Sequence, residues 1–86
     1  LKTYVLVVAR SRDSERRIAC RLNNIEEIKE ISAVDGFADL VVEVETESFD
    51  DASLVIAKIR ENSDVWRTFS LAVVSPFKKR EKINEP

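Results

Sequence analysis

The residues best suited to hold a small polar molecule are Gly36 and Asp39, three positions apart in the stretch Val34-Asp35-Gly36-Phe37-Ala38-Asp39. A turn built on glycine exposes amide N–H groups that can meet a carboxylate, and an aspartate beside it can hold an ammonium group. The plain alternative is a turn in which Asp39 bonds its own turn amides. Asp35 can recognise a cation or repel an anion, and it also serves simply as a turn-favouring residue. Thr68 and Ser70 stand two apart in a strand-like run, so their hydroxyls share one face and can serve one ligand. Threonine is equally an ordinary strand residue.

Nucleophilic and metal chemistry find little here. Histidine is absent and Cys20 is the single cysteine, so no intrachain disulfide and no Cys/His ligand set can form. No catalytic residue, metal or cofactor is therefore expected. The lone thiol fits a reducing, cytoplasmic setting. No apolar run approaches the roughly 20 residues that span a bilayer, and the opening Leu1-Lys2-Thr3-Tyr4 lacks the architecture of a signal peptide.

The net charge of −2 argues against nucleic-acid binding by the domain as a whole. The distribution is uneven, with Arg10, Arg12, Arg16, Arg17 and Arg21 close together, a strongly acidic stretch over 26–51, and a basic Lys78-Lys79-Arg80. The arginines are read first as a solvated helix face, with phosphate or an acidic neighbouring subunit as the alternatives. Lys78-Lys79-Arg80 is too short for a nucleic-acid arm. Charged residues make up 35% of the chain, a composition that suits surface ion-pair networks in proteins from hot environments.

These side chains must be positioned by one domain, because 86 residues suffice for one and not two. Residues 1–75 form it and 76–86 a charged tail. Thr3–Ala9 is a β-branched apolar run that predicts a central strand. Asp13 or Ser14 caps a first helix of about three turns carrying Ile18, Leu22 and Ile25, with Cys20 on the opposite side. Glu27–Val34 predicts a second strand. Gly36, the only glycine, marks a tight hairpin turn into a third strand, Asp39–Glu45. Ser48 and Asp51 read as a capping box for a second helix with the stripe Phe49, Ala52, Val55, Ile56 and Ile59. Val65–Val74 predicts the last strand, with Val65, Phe69, Leu71 and Val73 facing one way and Trp66, Ala72 and Val74 the other.

The order β-α-β-β-α-β is the ferredoxin-like α+β arrangement: a four-stranded antiparallel sheet with two helices on one face. The first and last strands are apolar on both sides, unlike strands with one wet face. The face without helices therefore needs a cover, and a second copy of the chain is the simplest one. Trp66 and Phe69 are candidate anchors there or ordinary core.

Three segments give a resemblance. Tyr4-Val5-Leu6-Val7-Val8, Val34-Asp35-Gly36-Phe37-Ala38-Asp39-Leu40-Val41-Val42 and Val65-Trp66-Arg67-Thr68-Phe69-Ser70-Leu71 resemble, in order, the first strand, the glycine-aspartate signature and the last strand of the C-terminal ligand-binding (RAM) domain of Lrp/AsnC feast/famine regulators. The resemblance implies a homodimer through the sheets, sometimes an octamer or other higher oligomer, and no direct DNA contact. It implies a small ligand, usually an amino acid, near Asp35, Gly36, Phe37 and Asp39 and the hydroxyls of Thr68 and Ser70. It also implies a DNA-binding full-length homologue as a partner. Two positions depart from the family's pattern: Asp35 replaces a threonine and Ala38 an aromatic residue, with Phe37 placing a ring on the opposite side of the strand. The other functions weighed were an assembly domain without ligand, a small ferredoxin-like enzyme, and an RRM-like RNA binder. The last is disfavoured because Asp39–Glu45 carries Glu43 and Glu45 in place of aromatic residues.

Overall fold

The computed structural model describes residues 1–77, 79 and 84. The readings placed on Lys78 and Arg80 lie outside the described residues. Strand β1 (Lys2–Ala9) leads through a short 3-10 turn (Arg12–Ser14) into helix α1 (Glu15–Leu22). Strands β2 (Ile28–Ala33) and β3 (Leu40–Glu45), helix α2 (Phe49–Arg60) and strand β4 (Val65–Ala72) follow. The strands form one sheet in the order β2-β3-β1-β4, every neighbouring pair antiparallel. This is the expected ferredoxin-like α+β architecture.

The register shows which side chains meet the helices. Val5 stands opposite Val42 on β3, and Val7 opposite Leu40. All four are at most 2% exposed and pack with Ile18 and Leu22 of α1 and Val55 and Ile59 of α2. Burying a side chain of this kind contributes roughly 1.5–3 kcal/mol. Thr3 lies on the same face, 2% exposed, and its Oγ1 finds no hydrogen-bond partner. An unpartnered buried hydroxyl is destabilising, so Thr3→Val, which keeps the shape and removes the polar atom, should stabilise the fold by about 1 kcal/mol. In a thermal melt that corresponds to a rise of roughly 4–8 °C. A fall in midpoint would show that Oγ1 is satisfied in solution.

Several local expectations are corrected. Helix α1 proper has eight residues, about two turns, and reaches three turns only with the preceding 3-10 turn. Ile25 lies past its end, in a turn where its N–H donates to the Leu22 carbonyl at 3.0 Å, yet still packs on the core. Ser14 does not cap α1 from its side chain. Its hydroxyl turns back, donating to the Ser11 carbonyl at 2.7 Å and accepting from the Ser11 N–H at 3.4 Å. Ser48 does cap α2, its Oγ accepting from the Asp51 N–H at 3.1 Å, without a return bond from the Asp51 carboxylate. Phe49 leaves the predicted stripe and is exposed, because the first turn of α2 overhangs the core that Ala52, Val55 and Ile59 fill.

The turn at Gly36 is wider than a two-residue hairpin. Residues 34–39 connect the strands, and the Val34 N–H donates to the Asp39 carbonyl at 2.9 Å. Gly36 has φ of +144°, which side-chain-bearing residues rarely adopt, while the space around it is open. Backbone conformation, and not crowding, requires glycine here.

The last strand differs most. Ala9 pairs with Val65 but Val8 pairs with Arg67, so Trp66 is the extra residue of a β-bulge. The bulge reverses the phase of the strand. Val65 enters the core, whereas Phe69 and Leu71, opposite Leu6 and Tyr4, face the side without helices. Tyr4, Leu6, Val8 and Val41 are half-buried on that face, and Phe69 and Leu71 are exposed. The apolar second face anticipated from alternation is therefore present, with β4's contribution made by Phe69 and Leu71 but not by Val65.

Candidate functional site

The loop 34–39 is held at one end of the sheet by Asp39. Its N–H donates to the Val7 carbonyl at 2.9 Å, and its Oδ2 accepts from the Ala9 N–H at 2.8 Å. Both bonds reach β1, not the turn itself, so neither reading of Asp39 made from the sequence anticipated its partner. The carboxylate satisfies an amide just past the end of the β1–β3 ladder, whose last pair is Val7 with Leu40. One oxygen is engaged there, and Oδ1 remains the free acceptor among the described hydrogen bonds.

Asp35, Gly36 and Asp39 line a hollow of about 110 Å³, completed by Arg12 from the 3-10 turn, Glu15 from the start of α1, and Val34 and Ala38. Three carboxylates and one guanidinium share its mouth, a charge pattern that favours an ammonium group over an isolated anion. From the sequence Arg12 reads only as part of a solvated helix face, and Glu15 is given no role. Nothing local in the chain signals that the first helical turn folds against a loop some twenty residues further on. Ala38 is 5% exposed and packed inward. Phe37 turns outward, 70% exposed, and meets Phe69 edge-on at 5.6 Å between ring centroids. Phe37 thus extends the apolar open face of the sheet.

The strand hydroxyls lie elsewhere. Thr68 pairs with Val7 and Ser70 with Val5, so both face the helix side of the sheet, opposite to Phe69. Thr68 borders a separate concavity with Arg10, Arg60, Val65, Trp66 and Arg67, and Ser70 is exposed. Thr68 and Asp39 flank the same residue, Val7, from the two neighbouring strands. Their backbones are therefore about 10 Å apart, two strand spacings. Within one chain, Asp35, Gly36 and Asp39 converge on one hollow, while Phe37, Thr68 and Ser70 do not join them.

The arginines of α1 divide into two groups. Arg17 Nε and Arg21 Nη1 each lie 3.3 Å from Asp64 Oδ2, tying α1 to the connection between α2 and β4. The hydrogen bond from Arg17, aided by the charges of Arg17 and Arg21 and opposed by desolvation, holds the Asp64 carboxyl below the usual range. Arg16 stays at the surface with Cys20, on the side where helical phase places that thiol. Trp66, 57% exposed, and Phe69, 41% exposed, are not core residues, which leaves a surface role for both. No helix among the described residues is long and apolar enough to cross a membrane.

This architecture has known relatives. FFRP-DM1 is similar at 31% identity and a TM-score of 0.77, covering 84% of this chain and 97% of that one. A protein of Pyrococcus horikoshii is similar at 27% identity and a TM-score of 0.78, over 94% and 98% of the two chains. A feast or famine regulatory protein of M. tuberculosis, solved in complex with L-methionine, shares the fold at 24% identity and a TM-score of 0.77, and 98% of this chain spans 57% of that longer one. Comparison with curated proteins gave no match. The sequence model of the Lrp/AsnC ligand binding domain matches residues 3–83, nearly the whole chain, and agrees with the fold and with the three segments that resemble it: the protein belongs to the Lrp/AsnC ligand-binding domain family.

Proposed function

We propose that the chain is the sensing and assembly module of a transcription regulator, pairing with a second copy through its open sheet face and binding an amino acid where copies meet. The observation that carries this reading is the continuous apolar surface of Leu6, Val8, Val41, Phe69, Leu71 and Phe37 on the side no helix covers. An exposed patch of this kind marks an interaction surface, and a two-fold copy is its simplest self-complementary cover. Assembly is also the way to unite the two halves of the candidate site. The Asp35–Asp39 hollow of one copy and the Thr68 and Ser70 hydroxyls of another can face one ligand, which one chain alone cannot arrange. The methionine held by the M. tuberculosis regulator makes amino acids the first class to test. On this reading the module acts on a DNA-binding full-length relative and does not itself touch DNA.

Calorimetry of the assembled protein against the full set of L-amino acids tests the ligand. Asp39→Asn separates its two roles, because an asparagine oxygen still accepts from the Ala9 N–H while the charge that holds an ammonium is lost. Affinity should fall about 10–100-fold with the melting temperature little changed, the worth of one charge-assisted hydrogen bond. If the unmodified protein gives no heat with any amino acid while its assembly stays intact, sensing is wrong. A purely structural module that mixes with full-length regulators then stands. The Asp39 bond to Ala9 favours that second reading, since it gives the aspartate a purely structural task.

A further inference from the structure

At the corner where β1 ends, α2 ends and β4 begins, Arg10, Arg60, Arg67, Trp66 and Thr68 surround an open concavity of about 370 Å³. None of the three arginines has a carboxylate within 4.0 Å among the described residues; the nearby Asp64 is engaged by Arg17 and Arg21. Arg10 uses its Nε on the Ser63 carbonyl at 2.9 Å, which fixes the guanidinium and leaves its remaining N–H groups for a ligand. Trp66 stands out because it is the extra residue of the bulge, and the Arg67 guanidinium lies 4.8 Å from its ring centroid.

Three like charges gathered without a counter-ion repel one another, and an anion relieves that repulsion. Guanidinium forks match phosphate oxygens two at a time. The indole is 57% exposed, and with the Arg67 guanidinium over one face it offers the other as the plane on which a heterocyclic base stacks. An amino acid suits this corner poorly, because its one carboxylate occupies a single fork and its ammonium meets three positive charges. The geometry points to a second binding site, distinct from the hollow at residues 34–39, for a phosphorylated nucleoside. The arginines hold the phosphates and Trp66 carries the base.

Trp66 is the only tryptophan, so its emission reports the site directly. Titration of the unmodified protein with ADP, followed by fluorescence and by calorimetry, should give a saturable response that weakens as salt is added. Adenosine alone and inorganic phosphate alone should each bind at least tenfold more weakly. Arg60→Ala, an exposed position outside the core, should weaken ADP at least tenfold, whereas Asp39→Asn should leave it unchanged. The site is refuted if ADP gives no saturable response by either method, or if Arg60→Ala binds it as well as the parent. Adenosine or phosphate binding as tightly as ADP overturns the ligand class. Competition by L-methionine would merge this site with the amino-acid reading and overturn its separateness.

Discussion

Leu6→Glu should abolish the concentration dependence of the melting temperature that the unmodified chain shows. Leu6 sits at the centre of the open face, directly opposite Val41 on β3 and Phe69 on β4. If that face closes on a second copy, association stabilises the folded state by mass action, and the midpoint climbs with protein concentration. A carboxylate in the middle of a dry apolar contact costs several kcal/mol unless paired. Association should therefore weaken by at least about a hundredfold, a change of about 2.8 kcal/mol. The fold itself survives, because Leu6 points away from the helices and its neighbours Val5 and Val7 keep the core. The variant's far-UV circular dichroism should match the parent's. A parent midpoint that ignores concentration, or a variant that keeps the dependence, would remove the reason to place a partner on this face.

Ile59→Ala should cause one of the largest losses of stability among single truncations, comparable with Ile18→Ala. Ile59 is fully buried near the end of α2 and joins the cluster that Val5, Val7, Val42 and Ile18 form beneath the sheet. Removing its side-chain carbons loses their transfer free energy and leaves a cavity, together about 2–5 kcal/mol. Folded domains have only about 5–15 kcal/mol in total, and a small one lies toward the low end of that range. Urea unfolding should show a midpoint lowered by a third or more with the slope unchanged. By contrast Phe49→Ala, although it removes more carbon, should change stability little, because that ring is 58% exposed. Equal losses at the two positions would contradict the packing of α2 described above.

The contrast between Ile59 and Phe49 also marks how far the sequence could be read. Periodicity identified every strand and both helices, because apolar residues at spacings of two and of three to four report which side is buried wherever an element is regular. It failed where an element is irregular. The bulge at Trp66 adds one residue to β4, which moved Phe69 and Leu71 to the opposite face from Val65, and no composition signal distinguishes that from a regular strand. The first turn of α2 continues the apolar stripe into Phe49 but runs beyond the core it would cover.

The site was legible only in part. Gly36 stood out as the sole glycine, and its positive φ supplies the reason. Asp39 drew notice for its type, yet its amide partner on Ala9 lies thirty residues earlier in the chain, a distance that local spacing cannot bridge. Arg12 and Glu15 reach the hollow through tertiary packing alone, and for the same reason the arginine corner around Trp66 was scattered in the sequence across residues 10, 60 and 67.

Sedimentation equilibrium of the unmodified chain at micromolar concentration tests most directly whether the uncovered sheet is an assembly surface. A mass that is an even multiple of 9.8 kDa is the predicted result. A single species at 9.8 kDa throughout, with its helix-free side wetted by solvent, would contradict the account.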